Sequence, residues 1–280
     1  MIVSGPNGEE GVMNSISDLT IKIFADGADK AAMLALYGKP WIKGFTTNPT
    51  LMRQAGISDY EAFARDILGC IVDLPVSLEV FADEFEEMMR QAAQIASWGQ
   101  NVYVKIPITN TRGESALGIV HRLSQAGVKL NVTALLTLDQ VRDAVASLAD
   151  GASSCISVFA GRIADTGRDP VPMMASAAEL IHQHREMELI WASPRELLNV
   201  VQAESIGCDI ITANPNILNK LSLIGKDLRE YSLETVQMFC DDAHRSGFTL
   251  SGSPSRYNAR RGGQLPPPKG EKVHESSSTR

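Results

Sequence analysis

The stretch NVYVKIPIT, residues 101–109, places Lys105 inside an otherwise apolar, strand-like run. An ammonium group there is costly unless it has work to do, because desolvation disfavours the charged form. A lysine kept uncharged in a dry pocket can attack a carbonyl and form a Schiff base. The iminium then draws electrons from the adjacent carbon–carbon bond, which is the chemistry of aldol cleavage and condensation. Such a reaction needs proton carriers. Asp26, at the end of TIKIFAD, is a candidate to take a proton from a sugar hydroxyl. Glu79, in VSLEVF, is a candidate to work through an ordered water as the carbinolamine forms and dehydrates.

Two arginines suggest an anion site. Arg162 follows the apolar run CISVFA, and Arg195 lies in SPREL, residues 193–197. SPREL reads as a capping box, with Ser193 as cap, Pro194 at the first helical position and Glu196 three residues after the cap. A helix N-terminus presenting free N–H groups beside Arg195 and Arg162 is suited to phosphate. TTNPT (46–50) and ANPN (213–216) read as further caps at Asn48 and Asn214. Arg168, in a polar loop, reads as a solvated residue. The five histidines, at 121, 182, 184, 244 and 274, include none at a strand end, so the sequence implies no metal site.

The elements that position these residues alternate along the chain. Strand-like segments occur at about 20–26, 41–45, 76–81, 102–106, 128–133, 155–160, 187–193 and 208–212, each followed by a helix-like segment. Eight such units predict a single-domain α/β fold, a (β/α)8 TIM barrel, with an open doubly wound sheet as the runner-up. FADGADK, after the first strand, lacks the glycine-rich turn usual in the latter. Alternation across each strand separates an apolar face from a polar one. Asp26 opposes Ile21, Ile23 and Ala25, Glu79 opposes Val76, Leu78 and Val80, and Lys105 opposes Val102, Val104 and Ile106. Asn131 and Thr133 oppose Leu130 and Val132, Ser157 and Phe159 oppose Ile156 and Val158, and Ser193 opposes Ile190 and Ala192. With the apolar faces against the helices, the polar set converges at the C-terminal mouth of the barrel.

The chain has 280 residues with 44% hydrophobic and 21% charged side chains, enough for one large core. A net charge of −7 disfavours nucleic acid or an anionic membrane as the main partner. No signal peptide or membrane span is legible, so the expectation is a cytoplasmic protein. The separated Cys70, Cys155, Cys208 and Cys240 read as free thiols. The domain reading is an N-terminal extension (1–19), the barrel (20–250) and a disordered tail (251–280) rich in Gly, Pro, Ser and basic residues.

FTTNPT (45–50), SLEVFA (77–82), VYVKIPIT (102–109), LNVTALLT (130–137), ISVFAGRI (156–163) and WASPREL (191–197) together resemble the transaldolase family. The resemblance runs from about residue 20 to 245. It implies a Schiff base on Lys105, an acid–base Asp26, and a Glu79 that holds the catalytic water with Thr133. It further implies sugar contacts from Thr46, Asn48, Asn131, Ser157 and Phe159, and a phosphate site of Arg162, Ser193 and Arg195. The implied reaction transfers a dihydroxyacetone unit between small-molecule sugar phosphates, as in the pentose phosphate pathway, in a homo-oligomer and without a metal or organic cofactor.

Two other readings stay open. One is a fructose-6-phosphate aldolase-type lyase that releases dihydroxyacetone, a subgroup that usually carries Gln and Tyr where this chain has Glu79 and Phe159. The other is a non-catalytic sugar-phosphate-binding barrel. Trp191 is expected to face the barrel interior and narrow its pocket.

Overall fold

The computed structural model describes residues 2–4, 10–12 and 15–250. The tail expected at 251–280 lies outside the described residues, as do residues 1, 5–9 and 13–14 of the N-terminal extension. Near the N-terminus, β1 (Ile2–Ser4) and β2 (Glu10–Val12) form a short antiparallel pair.

Eight parallel strands then close into a barrel. They are β3 (Lys22–Asp26), β4 (Ile42–Thr46), β5 (Val76–Glu79), β6 (Val102–Pro107), β7 (Leu130–Leu135), β8 (Ser154–Val158), β9 (Met187–Trp191) and β10 (Ile210–Ala213), with β10 pairing back onto β3. The connecting helices are α1 (Lys30–Tyr37), α2 (Pro49–Gln54), α3 (Tyr60–Cys70), α4 (Phe85–Ala96), α5 (Leu117–Gln125), α6 (Leu138–Leu148), α7 (Ala160–Ala164), α8 (Val171–Ile181), α9 (Leu198–Ser205) and α10 (Pro215–Leu218). This is the expected (β/α)8 barrel. The compact unit built from these elements ends at Lys226. The second unit contains α11 (Leu228–Ser246), started by the Asp227 carboxylate, which accepts from the N–H groups of Arg229 and Glu230, and stopped by Gly247 at φ 64°. No helix among the described residues is long and apolar enough to cross a membrane.

The barrel's outer faces supply the core. Ile23, Leu78, Val104, Val132, Ile156, Leu189 and Ile211 are all at most 2% exposed and belong to one apolar cluster with the helices. The inner face holds a second, smaller cluster of Phe24, Cys155, Ile190, Ala192 and Ile210, with Tyr103 and Phe159 against it. Burial pushes the pKa of the Cys155 thiol well up, so it acts as a small apolar filler.

This inner cluster corrects the expectation for the seventh barrel strand, β9. Ile190 and Ala192 face inward, and Trp191, fully buried, belongs to the outer core instead of narrowing the pocket. The expectation takes its phase from Ser193, but Ser193 is left-handed and breaks the alternation; within MELIW the one polar residue, Glu188, shares the face of Ile190. The register agrees: Ile190 pairs with Ser157 and Ile210, both inward positions.

A register shift between β3 and β4 also shapes the interior. Ile23 pairs with Ile42 but Phe24 with Gly44, so Lys43 is the extra residue. A Cβ at Gly44 would lie 2.5–2.7 Å from three atoms of the Phe24 ring. Glycine there lets the ring fill the barrel. Gly44→Ala should therefore destabilise the fold by about 1–3 kcal/mol through overpacking, measured by urea unfolding. Phe24→Leu in the same chain should recover most of that loss.

Candidate active site

A cavity of about 500 Å³ opens at the C-terminal ends of the strands. Its lining includes Asp26, Thr46, Asn48, Glu79, Lys105, Thr133, Ser157, Phe159, Arg162 and Ser193, ten of the twelve residues expected from sequence. Asn131 and Arg195 are not on its wall.

Lys105 is 6% exposed. Its register partner on β5 is Glu79, and the Glu79 Oε2 lies 3.0 Å from Lys105 Nζ. Nζ also donates to the Thr47 backbone carbonyl at 2.9 Å. Both contacts replace water around a nitrogen that the barrel has largely dried. Glu79 thus touches the amine directly. The end of β5 is steadied by Tyr60 of α3, whose hydroxyl donates to the Glu79 backbone carbonyl at 2.8 Å. Burial, with Glu79 nearby, holds the Tyr60 phenol well above its usual range, so it stays a donor.

Asp26 ends β3 on the same cavity. Desolvation raises its pKa; Lys105 and a hydrogen bond from Thr46 pull the other way without cancelling it, and Glu79 adds to the rise. Thr46 Oγ1 donates to Asp26 Oδ1 at 2.8 Å and lies 2.5 Å from Thr212 Oγ1. Thr46 therefore spends its only hydroxyl proton within the wall.

Thr133 follows the polar phase of β7, but the strand breaks register directly after it, with Ala134 inserted at φ 66°. The bulge turns both Thr133 and Ala134 onto the cavity. The Thr133 hydroxyl is buried with no hydrogen-bond partner among the described residues, as suits a group that bonds a water or a substrate oxygen. Asn131 lies deeper, fully buried, accepting from Ser157 Oγ at 2.7 Å and donating to Ser77 Oγ at 3.1 Å. It braces Ser157 from behind the wall. Asn48 caps α2 as expected: its Oδ1 accepts from the Leu51 N–H at 3.0 Å, which leaves its amide N–H groups to the cavity. Asn214 caps α10 likewise.

SPREL does not form the expected capping box. No helix starts at Ser193; α9 begins at Leu198. Ser193 sits at φ 61°, incompatible with the extended backbone of an N-cap. The N–H groups of Arg195 and Glu196 instead donate to the buried side chain of Asn199, at 2.7 and 3.2 Å. Ser193 still reaches the cavity, because the left-handed turn after β9 swings it there. Arg195 makes two bonds to the Asp165 carboxylate, at 2.8 and 2.5 Å, and its Nη1 donates to the Ser193 hydroxyl and carbonyl, both at 2.9 Å. That ion pair holds the Asp165 carboxyl below the usual carboxylate range. Arg162, on α7, lies over the Phe159 ring at 5.6 Å and has no ion-pair partner among the described residues.

Three functional positions had weaker sequence signals. Thr212 has the phase of Ile210 in CDIIT, and Asp209 on the opposite phase left that segment without one consistently polar face. Asp165 is 30 residues from its partner Arg195. Gly161 is needed for close approach: a Cβ there would sit 1.6 Å from the Ser193 carbonyl oxygen. Among the described residues no group of three or more His, Cys, Asp or Glu is placed to hold a metal ion.

The fold and this concave, carboxylate- and lysine-lined mouth define a (β/α)8 enzyme of the aldolase/transaldolase class. Residues 23–251 match the family described as Transaldolase/Fructose-6-phosphate aldolase, and the chain belongs to that family. Similar curated proteins include a probable transaldolase of Dehalococcoides mccartyi, 34% identical over 64% of this chain and 80% of that one. Another, from Streptococcus equi subsp. zooepidemicus, is 35% identical over 72% of this chain and 90% of that one. A third, from Methanococcus maripaludis, is 33% identical over 72% and 89%. Among solved structures, a crystal structure of KGPDC from Streptococcus mutans matches with a TM-score of 0.50 at 9% identity, covering 73% of this chain and 92% of that one, a likeness of fold alone.

The raised pKa of Asp26 sets a sign for stability. The folded state binds its proton more tightly than the unfolded state, so stability falls as pH climbs from the ordinary aspartate value, about 3.9, through the raised one. Asp26→Asn should raise the melting temperature relative to the parent at pH 7. The gain should shrink as pH falls and be nearly gone below about pH 3, where both states of the parent carry the proton; calorimetry at pH 7 and at that acid pH checks this.

Proposed function

We propose that the protein is a transaldolase, moving a dihydroxyacetone unit from a ketose phosphate to an aldose phosphate through a Schiff base on Lys105. The carrying observation is the buried Lys105 Nζ at the cavity, 3.0 Å from the Glu79 carboxylate.

In this reading Glu79 takes the proton that Nζ must shed before it attacks the ketose C2 carbonyl. The resulting carbinolamine loses its hydroxyl as water, with Glu79 as proton donor and Thr133 as the water's second contact. Asp26 takes the proton from the C4 hydroxyl as the C3–C4 bond breaks, its electrons passing into the iminium to give an enamine. The aldose phosphate leaves. The enamine then attacks the acceptor aldehyde, and Asp26 returns the proton to the new hydroxyl. A carboxyl with a raised pKa suits a group that must both take a proton and give it back. Asn48 and Ser157 would hold sugar hydroxyls. Arg162 and Ser193 would hold the phosphate, with Arg195 behind Ser193.

The transferase reading over the lyase one rests on Glu79 and Phe159, which stand where fructose-6-phosphate aldolases usually carry Gln and Tyr. Four unpaired thiols fit the reducing cytoplasm. A homo-oligomer is carried over from the family resemblance.

Borohydride added with fructose 6-phosphate should fix a three-carbon adduct on Lys105, located by peptide mass spectrometry. Lys105→Arg should abolish the adduct and lower kcat by more than about 10³-fold. A Lys105→Arg protein that kept turning over would refute the Schiff base. Asp26→Asn should cost about 10²–10⁴-fold in kcat. Turnover of fructose 6-phosphate should depend on added erythrose 4-phosphate; free dihydroxyacetone formed at the same rate without it would make the enzyme a lyase.

A further inference from the structure

Thr212 has no role in the chemistry above, yet it lines the cavity and is only 7% exposed. It stands on β10 and Thr46 on β4, the two strands that flank β3. Thr46 pairs in register with Asp26, while Thr212 pairs one layer lower with Phe24. The two hydroxyls meet across β3 at 2.5 Å, and the chain of contacts runs Thr212, Thr46, Asp26.

A hydroxyl has one proton and two lone pairs. While Asp26 is a carboxylate, it can only accept. Thr46 must then donate to Asp26, so the proton in the Thr46–Thr212 bond has to come from Thr212. Once Asp26 is protonated, it can donate to Thr46, which then donates to Thr212 and frees the Thr212 proton for the cavity. No proton changes owner along the two hydroxyls; each only rotates.

We propose that Thr212 is a positioning residue for Asp26, acting through Thr46 in a two-hydroxyl relay whose direction reverses with the protonation of the carboxyl. The relay has two consequences. It reinforces the carboxylate form, since each donor in a chain polarises the next and the last bond is charge-assisted. It also presents Thr212 to the cavity as an acceptor when Asp26 is ionised and as a donor when Asp26 is protonated. The other charged groups that act on Asp26 are Lys105 from β6 and Glu79 from β5, and both remain in place when Thr212 is changed. This proposal rests on the reading of Asp26 as the proton carrier.

The test uses the full chain with Thr212→Val, which keeps the branched shape and removes the hydroxyl, and Thr212→Ser, which keeps the hydroxyl. Carboxyl carbon NMR, with Asp26 assigned by its loss in Asp26→Asn, reads the ionisation of Asp26 directly and without turnover. Thr212→Val should move the Asp26 midpoint up by about half to one pH unit, and Thr212→Ser should return it to the parent value. The acidic limb of the kcat/KM profile should move with it. An unchanged midpoint in Thr212→Val overturns the relay, whatever happens to kcat. So does a Thr212→Ser midpoint displaced as far as that of Thr212→Val, because packing and not the hydroxyl would then be responsible. Failure of the underlying reading looks different: Asp26→Asn would cleave fructose 6-phosphate at the parent rate, while the NMR midpoints still decide the coupling.

Discussion

The contact between Lys105 and Glu79 is the constraint around which the site is organised. Two opposite charges inside a closed barrel lose most of their hydration, and their mutual attraction compensates only when geometry is close and the remaining donors are satisfied. The barrel meets both conditions through backbone order. Parallel pairing of β5 with β6 puts Glu79 opposite Lys105 without any side-chain adjustment. The Thr47 carbonyl, just past β4, takes a second ammonium proton. Tyr60 fixes the backbone at Glu79 from a helix. The pair is thus held by three neighbouring strands. Exchanging Glu79 for an uncharged residue would leave the buried Lys105 without its ion-pair partner, with Asp26 the other carboxylate acting on it.

The same closure fills the barrel with two kinds of side chain. Phe24, Cys155, Ile190 and Ile210 fill the cylinder with apolar volume, and Gly44 makes room for the ring. Beside and above them, polar side chains bond to one another: Ser157 to Asn131 to Ser77, and Thr212 to Thr46 to Asp26. The departures from regular backbone gather at this upper rim. Ala134 and Ser193, two of the three non-glycine residues with positive φ among the described residues, both line the cavity. A left-handed residue of this kind costs roughly 1–2 kcal/mol, and it persists because the packed barrel on either side fixes the chain direction.

The sequence was informative where one strand face is apolar and the other polar. That contrast identifies Asp26, Glu79, Lys105, Thr133 and Ser157 by phase alone, and the strand–helix alternation gives the barrel. It fails where the alternation is broken or contrast is absent. For Trp191 the phase is read from Ser193, whose left-handed backbone breaks the alternation, whereas Glu188 in MELIW marks the face that turns inward. In CDIIT, Asp209 and Thr212 fall on opposite faces, so neither face stands out as polar. The SPREL capping box failed for a different reason: its spacing is correct, but the chain leaves β9 through a left-handed residue, and the Asn199 side chain takes the N–H groups that a helix start would have left open. Spacing reports which residues could bond, whereas backbone handedness decides whether they meet.

That left-handed turn also sets the character of the cavity's anion end. Both arginines carry charge, but Arg195 spends its own on Asp165 and offers Ser193 one nitrogen bonded to both the hydroxyl and the carbonyl. It therefore acts as a strut that keeps Ser193 in its turn, and Gly161 supplies the space the turn requires. Arg162, over the Phe159 ring and with no contact ion pair among the described residues, keeps its hydrogen-bond donors available to the cavity. On the proposed reading, then, the two arginines divide the work: Arg162 attracts the phosphate and Arg195 holds the hydroxyl that orients it. Phe159 follows β8 and Asp165 follows α7, whereas Lys105 stands on β6, so the anion end and the amine are carried by different elements of the barrel.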